Sequence, residues 1–210
     1  MKNKYLKVLR KKRFYVFLLS LIFFLMISYF VMRYNILGID NNFYNLISSK
    51  IMNDRLTSIM KIITHLSSAP FLIILTIVLL LFLKNKYYKI GIVVNLCIAF
   101  LVNTLLKLFF LRDRPNINQL ISITGYSFPS GHAMTGMAYY GFIIYLLYVY
   151  FDNKKIKWPI IIILSILILL IGFSRIYLGV HYLTDVIGGY LLSISYLIVF
   201  VYFFNRIIKK

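Results

Sequence analysis

Apolar stretches long enough to cross a bilayer recur along the chain, separated by short polar segments. The first covers 14–32 and follows a stretch holding Lys2, Lys4, Lys7, Arg10, Lys11, Lys12 and Arg13. It is long enough to span and no small-residue cleavage site follows it, so it is predicted to be an uncleaved span and not a signal peptide. Between 33 and 68 the pattern changes. Phe43, Leu46, Ile47, Leu56, Ile59, Met60 and Ile63 recur at near-helical spacing, with Lys50, Asp54, Arg55 and Lys61 among them. That pattern suits an amphipathic helix lying in the membrane interface. Further spans are predicted at 69–83, 90–110, 132–151, 159–173 and 183–204. The expected fold class is all-α: a polytopic bundle of six transmembrane helices, with an interfacial helix between the first two.

Composition agrees with this layout. The 210 residues are 61% hydrophobic with a mean hydropathy of +0.86, which points to one integral membrane domain over 1–210. A net charge of +19 raises nucleic acid as a partner, and the distribution of the charges decides the matter. Of 24 Lys and Arg, sixteen fall in the N-terminal stretch, in the loops with Lys84, Lys86, Lys89 and with Lys154, Lys155, Lys157, and in the tail with Arg206, Lys209 and Lys210. The excess therefore lies beside spans and on one face, so the bilayer is the partner and no nucleic acid is expected. The positive-inside rule puts both termini in the cytoplasm and the segments 33–68, 111–131 and 174–182 outside the plasma membrane. Cys97, the single cysteine, stands in an apolar run and is read as a buried, inert thiol.

Three polar clusters then fall on the outer side. Lys107 closes the third span and is followed by Arg114-Pro115; Pro129-Ser130-Gly131-His132 opens the fourth; Ser174-Arg175 and His181-Tyr-Leu-Thr-Asp185 lie between the fifth and sixth. Ionisable groups are expensive at membrane depth and are functional candidates. Lys107, Arg114 and Arg175 together suit a phosphate dianion. Ser130 is a good helix N-cap, and Gly131 lets backbone amides approach phosphate oxygens. His181 has Asp185 four residues on, on one face if that part is helical, so the carboxylate can orient the ring and leave one nitrogen free to attack phosphorus. His132 lacks an acid nearby in sequence and is assigned as the acid that protonates the leaving oxygen and then helps activate water. Five Asp and no Glu make a carboxylate cage for a metal hard to assemble, so no metal and no cofactor are expected.

In order and spacing, Lys107-x6-Arg114-Pro115, Pro129-Ser130-Gly131-His132 and Ser174-Arg175-x5-His181-x3-Asp185 resemble the three-part signature of the type 2 phosphatidic acid phosphatase superfamily. The resemblance spans 107–185 and leaves 1–68 without a signature. It implies a metal-independent membrane lipid phosphatase in which Lys107, Arg114, Ser130, Gly131 and Arg175 bind phosphate, His132 is the acid, His181 the nucleophile and Asp185 its partner. Soluble haloperoxidases share the signature but bind vanadate, and six spans argue against that branch. Small bacterial members include phosphatidylglycerophosphate phosphatases and undecaprenyl diphosphate phosphatases, and phosphatidate is a third candidate substrate. The long outer segment before the second span tilts the reading toward the phospholipid type.

A non-enzymatic carrier or binding protein for anionic lipid headgroups could use the same cations, although carriers usually place their polar groups at the midplane. Other polar residues take plainer readings. His65 is read as interfacial, Arg112 and Asp113 either as tuning headgroup binding or as a solvated charge pair, and Asn95 and Asn103 as interhelical hydrogen-bonding groups. Gly136, Gly141, Gly188 and Gly189 are read as permitting close helix packing.

Overall fold

A computed structural model describes residues 2–117 and 119–208, with side chains described from Lys11 onward. The chain forms α1 (Lys2–Tyr34), α2 (Gly38–Lys50), α3 (Asp54–His65), α4 (Ala69–Phe82), α5 (Lys86–Phe110), α6 (Gly131–Tyr150), α7 (Lys154–Tyr177) and α8 (Leu183–Ile208). The side chains of Lys2, Lys4, Lys7 and Arg10, and the whole of Lys209 and Lys210, which the sequence counts toward the basic face, lie outside the described residues.

Five helices are long and apolar enough to span: α1 from Lys11, α5, α6, α7 and α8. The remaining span differs from expectation. At 14 residues α4 is about 21 Å long, well short of a hydrocarbon core of about 30 Å. It reaches the required length only together with α3, from which it is bent by 54°. The break has local causes: Ser68 caps α4 by accepting from the Phe71 amide at 3.4 Å, and a proline occupies its first turn. The expected single interfacial helix is thus two helices, divided where the Asn53 side chain accepts from the Leu56 amide at 2.9 Å and starts α3. The fifth span also begins earlier than expected. Asn153 caps α7, placing Lys154, Lys155 and Lys157 in its first turns, and the helix runs on through Arg175.

The bundle is organised around α6, half of whose span is buried against 17% for α7. Close approach to α8 depends on Gly189, where a Cβ would stand 3.1 Å from the Ser130 carbonyl oxygen and 3.3 Å from the Met134 amide. The Ser193 hydroxyl donates to the Met134 carbonyl at 2.8 Å along the same seam. On the other side Asn103 donates from α5 to the Pro129 carbonyl at 3.2 Å, as expected of an interhelical group. Asn95 does not fit that reading, because both polar atoms of its buried side chain lack a partner. Cys97 corrects another expectation: it is exposed on the outer surface of α5, among the apolar side chains a bilayer would cover.

Helix polarity sorts the chain into two ends. At one, α5 and α7 finish while α6 and α8 begin, and the three polar clusters meet. At the other, the Tyr145 and Tyr150 hydroxyls donate to Asn205, and Lys157 lies 5.7 Å from the Tyr148 ring centre, itself edge-on to Trp158. A Lys–Tyr–Trp group of this kind marks a membrane boundary.

Candidate active site

Helix endings deliver the site residues. Leu111 stops α5 in the left-handed region (φ 50°), at a cost of about 1–2 kcal/mol, and turns Arg112 and Arg114 inward. α7 ends in a Schellman motif: Gly179 takes φ 70°, its amide donates to Ile176, and the Val180 amide donates to Arg175. The five residues between Arg175 and His181 are therefore a helix stop. It leaves the buried Arg175 in the last turn and His181 in the connection to α8. His181 thus does not share a helical face with Asp185. Their four-residue spacing works because Asp185 caps α8, its Oδ2 accepting from the Tyr182 amide at 2.8 Å. That bond holds the carboxylate back over the preceding turn, 3.3 Å from His181 Nδ1.

The clusters are joined by direct bonds. Ser130 N donates to the Asp185 carbonyl at 3.0 Å. A Cβ on Gly131 would lie 3.0 Å from Asn103 Oδ1 and 3.8 Å from Lys107 Cε, so the start of α6 abuts the end of α5. Lys107 Nζ donates to the carbonyls of Tyr126 and Ser127. Arg114 donates to the carbonyls of Thr124, Gly125 and Val180 and approaches His181 Nε2 at 3.2 Å. His132, half-buried at the second position of α6, lies within electrostatic reach of Arg175, His181, Arg114 and Lys107. The eight residues singled out in the sequence therefore gather at one end of the bundle.

The geometry fixes the tautomer of His181. Arginine can only donate, so Nε2 opposite Arg114 carries the lone pair and Nδ1 carries the hydrogen. Nδ1 faces Asp185 Oδ2 and the Ser127 hydroxyl, 3.2 Å away, and that hydroxyl in turn donates to the same carboxylate oxygen. Burial holds His181 well below the usual imidazole range, and the charges of Arg175, Lys107, Arg114 and Arg112 lower it further, so the ring is neutral.

Ser130 departs from its expected role. It stands at the N-cap of α6, yet its side chain makes no capping bond, and its hydroxyl is buried without a partner. Arg175 is similar: one terminal nitrogen donates to Thr64 Oγ1 at 2.5 Å, while Nε is buried and unpaired. Lys107, Arg114 and Arg175 form no ion pair with a carboxylate among the described residues.

Arg112 overturns its sequence reading. Far from being solvated beside Asp113, it is buried and paired with Asp185 at 2.5 Å and Asp40 at 2.9 Å. Asp40, Thr64, Ser127 and Thr184 were also missed. Asp40 carried one signal, as one of five acids in a basic chain; Thr64 and Ser127 carried none. Among the described residues no three His, Cys, Asp or Glu side chains assemble into a metal cluster, and the two buried carboxylates share an arginine instead.

An all-helical membrane bundle with a cationic pocket and a neutral, oriented histidine at one end has the makings of a phosphatase, and comparison with known proteins bears this out. The chain belongs to the PAP2 superfamily, whose sequence pattern matches residues 88–209. It is 34% identical over 143 residues to phosphatidylglycerophosphatase B of Bacillus subtilis, covering 66% of this chain and 70% of that protein. Undecaprenyl-diphosphatase of Sulfolobus acidocaldarius is 30% identical over 192 residues, 86% of this chain and 87% of the other. The crystal structure of a transmembrane PAP2 type phosphatidylglycerolphosphate phosphatase from Bacillus subtilis matches with a TM-score of 0.80 at 28% identity, over 92% of this chain and 98% of that one.

Proposed function

We propose that the chain is a single membrane phosphatase domain that hydrolyses a lipid phosphate monoester or diphosphate through a phosphohistidine on His181, without a metal. The observation that carries this is the convergence of Lys107, Arg114 and Arg175, none paired with a carboxylate, around a neutral imidazole whose free nitrogen faces them. Three unpaired cations beside a lone pair suit a phosphoryl group, whose charge they neutralise while the nitrogen attacks.

In the first step Nε2 forms a bond to phosphorus as the bond to the leaving oxygen breaks, and His132, which takes up a proton together with the incoming phosphate whose negative charge offsets the surrounding cations, delivers that proton to the leaving oxygen. Arg114 exchanges Nε2 for phosphate oxygens. Lys107, Arg175, the Ser130 hydroxyl and the first amides of α6 at Gly131 hold the remaining oxygens. Asp185 and Ser127 stabilise the charge that develops on the ring through Nδ1–H. In the second step water attacks the phosphohistidine, His132 accepts its proton, and free phosphate leaves with Nε2 restored. A cavity of about 120 Å³ between α2 and the 115–117 segment reaches His181 and Tyr182 and supports entry of a headgroup from the interface.

The test is phosphate release from phosphatidylglycerophosphate, phosphatidate and undecaprenyl diphosphate in detergent with EDTA. Release with full rate in chelator is expected, with phosphatidylglycerophosphate preferred. A rate that vanishes in chelator and returns with a divalent cation would overturn the metal-free route, and binding without release would point to a carrier.

The site is proposed to face away from the cytoplasm, with both termini inside, because the basic loops lie at the opposite end. Ser122→Cys, in a Cys97→Ala background since Cys97 is exposed, is expected to react with an impermeant maleimide on intact cells. Reaction only after permeabilisation would invert this orientation.

A further inference from the structure

We propose that Asp40, on the interfacial helix α2 and outside the family-matched region, is a positioning residue for the attacking histidine, acting on Asp185 through Arg112 and Thr184.

The connection is continuous and buried. Arg112 donates from one terminal nitrogen to Asp40 Oδ2 at 2.9 Å and from the other to Asp185 Oδ1 at 2.5 Å. Thr184 links the same groups a second time: its hydroxyl accepts from Arg112 at 2.9 Å and donates to Asp40 Oδ2 at 2.9 Å, while its amide donates to Asp40 Oδ1 at 2.9 Å. The guanidinium also lies over the Tyr182 ring, 4.1 Å from its centre. Asp40 stands in the first turn of α2 as Asp185 does in α8, and each accepts from the amide three residues earlier, Leu37 and Tyr182. Two helix starts are thereby pinned to one arginine.

This arrangement divides the work of the Asp185 carboxylate. Oδ1 is committed to Arg112, leaving Oδ2 to Tyr182, Ser127 and His181. Rotation of the carboxylate would break the Arg112 bond, so Oδ2 stays on the histidine. Asp40 shares the charge of Arg112 and holds it off full neutralisation of Asp185. With Asp40 uncharged, Arg112 turns its charge wholly on Asp185, and the carboxylate supports the developing imidazolium less. Packing alone gives little reason for two acids and a base here, since a buried ion group of this kind is commonly no more stabilising than apolar side chains of the same volume.

The role rests on His181 as the nucleophile, and the experiment separates the two. Wild type and His181→Ala are assayed first: no release by wild type, or release by His181→Ala, refutes the proposed chemistry and not the positioning. With that chemistry established, Asp40→Asn, an isosteric change, is expected to lower kcat about 10-fold or more, by analogy with the losses that follow removal of an outer hydrogen-bonding partner around metal-ligating histidines. KM should stay within twofold, and Asp40→Glu should recover much of kcat. Wild-type kcat in Asp40→Asn, or equal loss in both variants with a raised KM, would overturn the proposal and leave Asp40 a structural anchor of α2. Should Asp40→Asn not accumulate folded, Arg112→Lys carries the same test, since it keeps one positive charge but a single ammonium cannot hold both carboxylates as the two terminal nitrogens do: reduced kcat at constant KM supports the proposal, and wild-type kcat overturns it.

Discussion

His181→Ala protein, purified in detergent, is expected to release no phosphate above background from any lipid the wild type hydrolyses, a loss of at least about 10⁴-fold, as for other covalent nucleophiles. The expectation rests on orientation as much as on residue type. Arg114 opposite Nε2 and Asp185 with Ser127 opposite Nδ1 leave one tautomer, and only Nε2 has a lone pair facing the cations. Burial holds the ring neutral, so the attacking form is present before substrate arrives. The companion measurement is covalent: wild type quenched during turnover should carry a phosphate on His181, and His132→Ala should form it slowly and retain it, since the same residue serves both proton transfers. Release by His181→Ala at a tenth of the wild-type rate or more would move the nucleophile elsewhere.

The apolar runs made the bundle legible, and their alternating direction implied that Lys107, the Ser130–His132 start and the 174–185 stretch would meet. What the pattern could not convey was how polar groups inside a greasy chain pair with one another. Arg112 and Asp113 are neighbours in sequence and look like a surface pair, yet the left-handed turn at Leu111 sends Arg112 inward to carboxylates 72 and 73 residues away. Asp40 lies on a helix that periodicity read as merely amphipathic. Periodicity also merged α2 with α3, because hydropathy registers composition and not the cap at Asn53 that divides them, and it read 69–83 as a complete span although α4 reaches spanning length only together with α3, across the bend at Ser68. The His181–Asp185 spacing led to the right neighbours by a route other than the helical face: a helix cap brings the carboxylate back. Cys97 shows the converse error, since in a membrane protein an apolar run has a lipid-facing side and burial cannot be read from apolarity.

Arg175→Lys should keep the charge and lose most of the activity, with kcat/KM falling about 100-fold, or about 2.7 kcal/mol of transition-state stabilisation. Arg175 is 1% exposed and sits in the last turn of α7, where the helix end favours a cation. One edge of its guanidinium is held by Thr64 at 2.5 Å, and Nε on the other side has no partner. A planar fork fixed at one edge can present two parallel donors to a phosphoryl group at its other edge; a lysine ammonium offers a point charge with no such plane. Inhibition by inorganic phosphate separates charge from geometry. Arg175→Lys is expected to bind phosphate within about tenfold of wild type while turnover collapses, because the fork matters most to the trigonal transferring group. Arg175→Met should lose both phosphate binding and turnover. Thr64→Val should fall between wild type and Arg175→Lys, since the guanidinium remains but is no longer held in plane. Wild-type turnover in Arg175→Lys would mean that Arg175 supplies only charge to the site, and Lys107 and Arg114 would then have to provide the directional bonds.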